Sequence, residues 1–184
     1  MVNDTMVSGG IPGLVGSEHI GLTVPDLPEA IAFLVNVIGC DQIFDGGNSG
    51  HSPHFMENSL NVHPDSEFKY CFLRCKTGVN FELFEYSAPN QNMKPPRNSD
   101  YGGHHIAFYV DDIEEAVAHL KSHGVSILGE INRIAEGPAA GSAWVYFLSP
   151  WGLNLELVSY PEGKAYEART AIRLWHPKFP LRSK

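Results

Sequence analysis

A chain of 184 residues, 43% apolar and 18% charged, has the composition of a globular protein, with room for one domain or two fused small modules. Its formal charge of -8 argues against nucleic acid and against an anionic membrane surface as partners, and no apolar run approaches the ~18 residues of a membrane span. Cys40, Cys71 and Cys75 lack CxxC spacing and suggest neither a disulfide framework nor a thiolate metal site; with no leader pattern, the chain is expected to be cytoplasmic.

Residues 1–16, rich in Gly and small side chains, are expected to form a flexible N-terminal arm. A strand follows from Glu18 to Val24, with Ile20, Leu22 and Val24 on one face and His19, Gly21 and Thr23 on the other. Pro25-Asp26-Leu27-Pro28-Glu29 opens a helix with an acidic first turn, carries Leu27, Ile31 and Leu34 at helical spacing, and ends at Gly39. The stretch from about 45 to 66 is Gly, Asn, Ser, His and Pro, and predicts a long inserted loop. Its His51, His54 and His63 are candidates for substrate contact, although loop histidines are ordinarily just solvated. Strands return at Phe68–Lys76 and, after the Thr77-Gly78 turn, at Gly78-Val79-Asn80-Phe81-Glu82-Leu83, closing on Tyr86. This first module spans 17–86, and an Asn-, Pro- and Gly-rich linker, 87–103, follows.

Residues 104–160 repeat that module. Ile106, Phe108 and Val110 oppose His105, Ala107 and Tyr109; Asp111-Asp112-Ile113-Glu114-Glu115 opens a helix that ends near Gly124. Ala143–Ser149, the Pro150-Trp151-Gly152 turn and Gly152-Leu153-Asn154-Leu155-Glu156-Leu157 follow, closing on Tyr160. His104 should point opposite to His105, while Tyr86, Tyr109 and Tyr160 share the face of the repeated His and Glu. The basic C-terminal extension, 161–184, sets six Lys and Arg against Glu162 and Glu167. It is expected to lie along its own acidic body or that of a neighbouring subunit, with cover of the pocket as the alternative.

A lone strand His or Glu is ordinarily a core or surface residue. Here His19 recurs as His105 and Glu82 as Glu156, and both glutamates sit in apolar strands. Two such carboxylates brought together would repel and stay protonated unless a cation paired them. Imidazole with carboxylate suits one divalent ion such as Zn, Ni, Co, Mn or Fe(II), and the absence of Cys donors argues against a purely structural zinc.

The paired HIGLTVPD/HIAFYVDD and GVNFELFEY/GLNLELVSY segments resemble the vicinal oxygen chelate superfamily, which includes glyoxalase I, bleomycin resistance proteins and extradiol dioxygenases. That resemblance implies an α+β fold in which two βαβββ modules form a cupped mixed sheet. It implies His19, Glu82, His105 and Glu156 as metal ligands, with Glu156 as first choice of catalytic base and Glu82 its partner. It also implies a homodimer and a small-molecule substrate, and hence an isomerase, epimerase or lyase working on an α-hydroxy-carbonyl compound through a metal-stabilised enediolate. The alternatives are an Fe(II)-dependent extradiol dioxygenase using two His and one Glu, and an antibiotic-binding protein. Val62-His63-Pro64-Asp65 and the Trp144–Gly152 stretch are similar to a subgroup of cyclitol-pathway epimerases of the valiolone type. No counterpart of the family's basic glutathione- or CoA-binding residues is located, which counts against a thioester or glutathione adduct.

Overall fold

A computed structural model describes residues 10–48 and 50–179. The fold is α+β and built of two modules. The first contains β1 (His19–Thr23), α1 (Leu27–Phe33), β2 (Asp41–Asn48), α2 (Pro53–Leu60), β3 (Glu67–Arg74) and β4 (Asn80–Ser87). The second contains β5 (Ile106–Tyr109), α3 (Ile113–Ser122), β6 (Ile127–Arg133), β7 (Ala143–Leu148) and β8 (Asn154–Ser159). Each module forms a four-stranded mixed sheet, ordered β1-β4-β3-β2 in one and β5-β8-β7-β6 in the other. In each, the first strand runs parallel to the last and the other neighbours are antiparallel.

The helix starts are the same device used twice. Asp26 accepts a hydrogen bond from the Glu29 N–H at 2.8 Å, and Asp112 accepts one from Glu115 at 2.9 Å, satisfying donors that the first helical turn leaves unpaired. The first helix changes character before it ends: α1 passes into a π-helical turn over Leu34–Ile38, which Gly39 stops in the left-handed region at φ 86°.

The expectation of a long loop over about 45–66 is corrected. The stretch holds the end of β2 and then helix α2, opened by Ser52, whose hydroxyl accepts from Phe55 N–H at 3.3 Å, with Pro53 in the first turn. Asn61 ends it at φ 54°, and Met56, only 1% exposed, anchors it. The polar composition hid one buried side chain and a Ser-Pro helix start. Residues 1–9 of the expected N-terminal arm lie outside the described residues.

Both modules feed one core. Leu22, Val24, Phe81 and Leu83 from the first join Ile106, Val145, Phe147, Leu155 and Leu157 from the second in a single buried cluster. Phe81 meets Phe108 with ring centres 6.3 Å apart, Phe33 meets Trp151 at 5.8 Å, and His119 Nε2 lies 3.0 Å from the Val37 carbonyl. Phe81 is 1% exposed at this junction, so Phe81→Ala should cost about 3–5 kcal/mol in denaturant unfolding, through lost burial and the cavity left behind. A loss under about 1 kcal/mol would mean that Phe81 is not packed in a tight core at this junction.

The C-terminal extension is docked as far as residue 179. Lys178 Nζ donates to both Asp111 oxygens at 2.8 Å, and Thr77 donates its hydroxyl hydrogen to the Pro177 carbonyl at 2.7 Å. These contacts tie the end of the chain to both modules. Among the described residues, no helix is long and apolar enough to cross a membrane.

Candidate functional site

The parallel pairing of first and last strand places the repeated His and Glu. Gly21 lies beside Glu82 in the β1·β4 register, and Ala107 beside Glu156 in the β5·β8 register. His19 and His105 are each two residues earlier, on the same face because side chains alternate along a strand. The neighbouring positions Phe81, Leu83, Leu155 and Leu157 are buried, so the His and Glu occupy the face turned away from the shared core. His19 Nε2 lies 3.1 Å from Glu82 Oε2, and His105 Nε2 lies 3.0 Å from Glu156 Oε2. The carboxylates are the more sheltered members: the Glu82 and Glu156 side chains are 19% and 15% exposed, the two imidazoles about 40%.

Within one chain the four side chains stand as two pairs. Among the described residues, no three His, Cys, Asp or Glu side chains gather into a metal-holding group. Each pair nonetheless has the span of two adjacent corners of a coordination polyhedron. With metal–nitrogen and metal–oxygen bonds of about 2.1 Å, neighbouring donors at right angles stand about 3.0 Å apart.

His19 has a further partner. Its Nδ1 is 2.5 Å from Glu18 Oε2, and Asn80 Nδ2 donates to Glu18 Oε1 at 2.9 Å. The bond with His19, helped by that from Asn80, holds the Glu18 carboxyl below the usual carboxylate range. If Nδ1 carries the proton of a neutral imidazole, the Nε2 lone pair faces the Glu82 oxygen. Two acceptors at that distance call for a proton or a cation between them. His104 takes Glu18's place in the second module, where its Nδ1 is 3.0 Å from the Gly102 carbonyl.

An aromatic ring completes each constellation, and it was legible but unread in the sequence. Phe72 pairs across β3·β4 with Glu82, and Tyr146 pairs across β7·β8 with Glu156; each stands ten residues before its Glu. Phe72 meets His19 edge-on at 5.6 Å, and Tyr146 meets His105 edge-on at 5.2 Å. These contacts restrict ring rotation and leave each imidazole's Nε2 directed at its Glu. Burial, then the Glu156 charge, pushes the Tyr146 phenol up, so it stays protonated at neutral pH. Burial also raises the Glu156 carboxyl, against the pull of His105 and Lys164.

Other expected contributors divide. Tyr86 and Tyr160 lie on the same face as the His–Glu pairs, and Tyr109 packs on Tyr160 at 5.0 Å. His51 stacks on Phe55 at 4.2 Å and on Phe68 at 5.9 Å, covering the end of the first module's aromatic face. His54 bonds Asn58 one turn along α2, and His63 accepts from the Asp65 N–H; both contacts are local. In the linker between the modules, Arg97 is engaged with Asp100, and Tyr101 is fully exposed.

Residues 18–147 match the Glyoxalase/Bleomycin resistance protein/Dioxygenase superfamily. The chain is 41% identical over 174 residues, 94% of each sequence, to a 2-epi-5-epi-valiolone epimerase from Actinomyces sp.. A glyoxalase family protein from Bacillus cereus has a similar fold (TM-score 0.64, 18% identity, 79% of this chain and 94% of that one). So does the fosfomycin resistance protein FosX from Listeria monocytogenes (TM-score 0.55, 20% identity, 84% of this chain and 98% of that one).

Proposed function

Because the chain belongs to the glyoxalase/bleomycin resistance protein/dioxygenase superfamily, we propose that it is a divalent-metal-dependent epimerase of a cyclic α-hydroxy ketone of the valiolone class. The observation that carries this reading is the duplicated His–Glu pair, set at 3.1 and 3.0 Å in equivalent registers on two open sheet faces. The similarity to an epimerase over 94% of the chain supports the reaction class.

In this reading the site is completed by a second copy. A two-fold arrangement sets His19 and Glu82 of one protomer against His105 and Glu156 of its partner, giving two equivalent sites per dimer. The exposed aromatic edge beside the first pair favours such a partner: Phe44 is 48% exposed and stacks on Phe72 at 4.9 Å. His19, Glu82, His105 and Glu156 would then hold the ion, which when bound supplies Lewis-acid stabilisation of the charge that develops on the substrate's oxygens.

The chain's own carboxylates move the proton. Glu156, sheltered and next to Tyr146, takes it from the carbon beside the carbonyl. Glu82, approaching from the opposing sheet and carrying a proton taken from solvent, delivers that proton to the other side of the carbon and inverts its configuration; Glu156 then loses the abstracted proton to solvent. Tyr146 and Phe72 hold the imidazoles by edge-on contact and help exclude water.

The test is elemental analysis of protein purified without chelators, followed by exchange of substrate C–H into deuterated water. A bound divalent ion, deuterium wash-in and no oxygen consumption are expected. Turnover that consumes oxygen would transfer the site to dioxygenase chemistry, and the absence of exchange would remove the epimerase reading.

Glu18 provides a separate check on the metal. A carboxylate that orients a ligand imidazole is typically worth 10–100-fold in affinity, so Glu18→Ala should weaken metal binding by about that factor in competition with a chelating dye. Unchanged affinity would show that the Glu18–His19 contact does not serve an ion.

A further inference from the structure

We propose that the chamber enclosed by the C-terminal extension is a binding compartment for the hydroxyl-bearing part of an uncharged polyol substrate; this rests on the epimerase reading above and extends it. The chamber, of about 600 Å³, falls within the usual size range of small-molecule sites. Tyr160, Lys164, Tyr166, Glu167, Arg173 and His176 contribute to its walls.

Its position ties it to the His105–Glu156 pair. Tyr109 continues the strand face of His105, and Tyr160 continues that of Glu156. His176 closes on both tyrosines, with ring centres 4.4 and 5.0 Å away, so the extension lies over the ligand face of the second module. Lys164 lies at the same place: its ammonium sits 4.2 Å above the Tyr160 ring.

The lining selects by hydrogen bonding more than by charge. Arg173 is paired with Glu167 at 3.1 Å, and Glu167 also accepts from the Lys164 backbone N–H at 3.0 Å. The lining sets Lys164 and Arg173 against Glu162 and Glu167, so its formal charges cancel. What remains is a set of donors, acceptors and aromatic faces suited to hydroxyls and ring C–H groups. The superfamily match ends at residue 147, whereas the similarity to the epimerase spans 174 residues and so reaches into this extension.

The probe is 2-keto-myo-inositol, an uncharged polyhydroxylated cyclohexanone, titrated by calorimetry into the full chain. Binding by the native protein, weakened about tenfold or more in Lys164→Met and in Tyr160→Phe, is expected. A phosphate ester of the same ketone should bind no more tightly. Near-ultraviolet circular dichroism of the aromatic cluster monitors whether each variant keeps the extension docked, and Tyr160→Phe retains the ring. Absence of binding by native protein, equal binding by the docked variants, or tighter binding of the phosphate ester overturns the assignment. Deuterium exchange read in parallel separates the two claims: native protein that binds the ketone without exchanging its C–H keeps the chamber and loses the epimerase reading.

Discussion

Replacing Glu156 with Gln should lower C–H exchange and epimerisation by about 10²–10⁴-fold, the usual contribution of a positioned general base. Gln keeps the size of Glu and cannot accept the proton. His19, Glu82 and His105 would remain as three protein ligands, a number that suffices in many catalytic metal sites, so the ion should be retained more weakly. Glu82→Gln should give a different signature. Glu156 would still remove and return a proton on its own side, so deuterium enters one epimer while conversion to the other stops. Exchange measured by NMR together with chiral product analysis reads both. Full turnover by Glu156→Gln with metal bound would exclude it as the base.

A mixture of two inactive variants should recover activity. His19→Ala damages the half-site on the first module and His105→Ala that on the second, so each homodimer has both sites impaired. In a mixed dimer one site carries both substitutions and the other carries neither. Random pairing makes half the dimers mixed, so co-expression should restore about a quarter of the native sites. If each site forms within a single chain, the mixture stays as inactive as its components. This outcome depends on where the half-sites lie and is insensitive to the identity of the substrate.

Much of this arrangement was legible in the residues. The duplicated His and Glu, the aspartate-capped helices and the terminal glycines are local signals, repeated at matching intervals, and the sheets form as the alternation implies. Helix α2 was missed because Met56 is its one buried residue, leaving too little apolar periodicity to reveal it. The aromatic partners Phe72 and Tyr146 were visible at a constant offset from each Glu, yet aromatic residues are so common in strands that only the register gives them a place. Alternation assigns a side chain to a face but does not say which faces meet. The packing of both buried faces into one core, which leaves the two His–Glu pairs outward on separate sheets, depends on long-range contacts such as Phe81 with Phe108. The docking of the basic extension rests likewise on contacts distant in sequence, Lys178 with Asp111 and Pro177 with Thr77.

The most direct test of the shared site is native mass spectrometry of protein purified without chelators, which reads subunit number and bound metal in one spectrum. The expected species is a dimer carrying one divalent ion per chain, with both ions lost on His19→Ala/Glu82→Ala substitution of the first module. A metal-free dimer, or a monomer that holds its own ion, would contradict a centre built from the two halves of different chains.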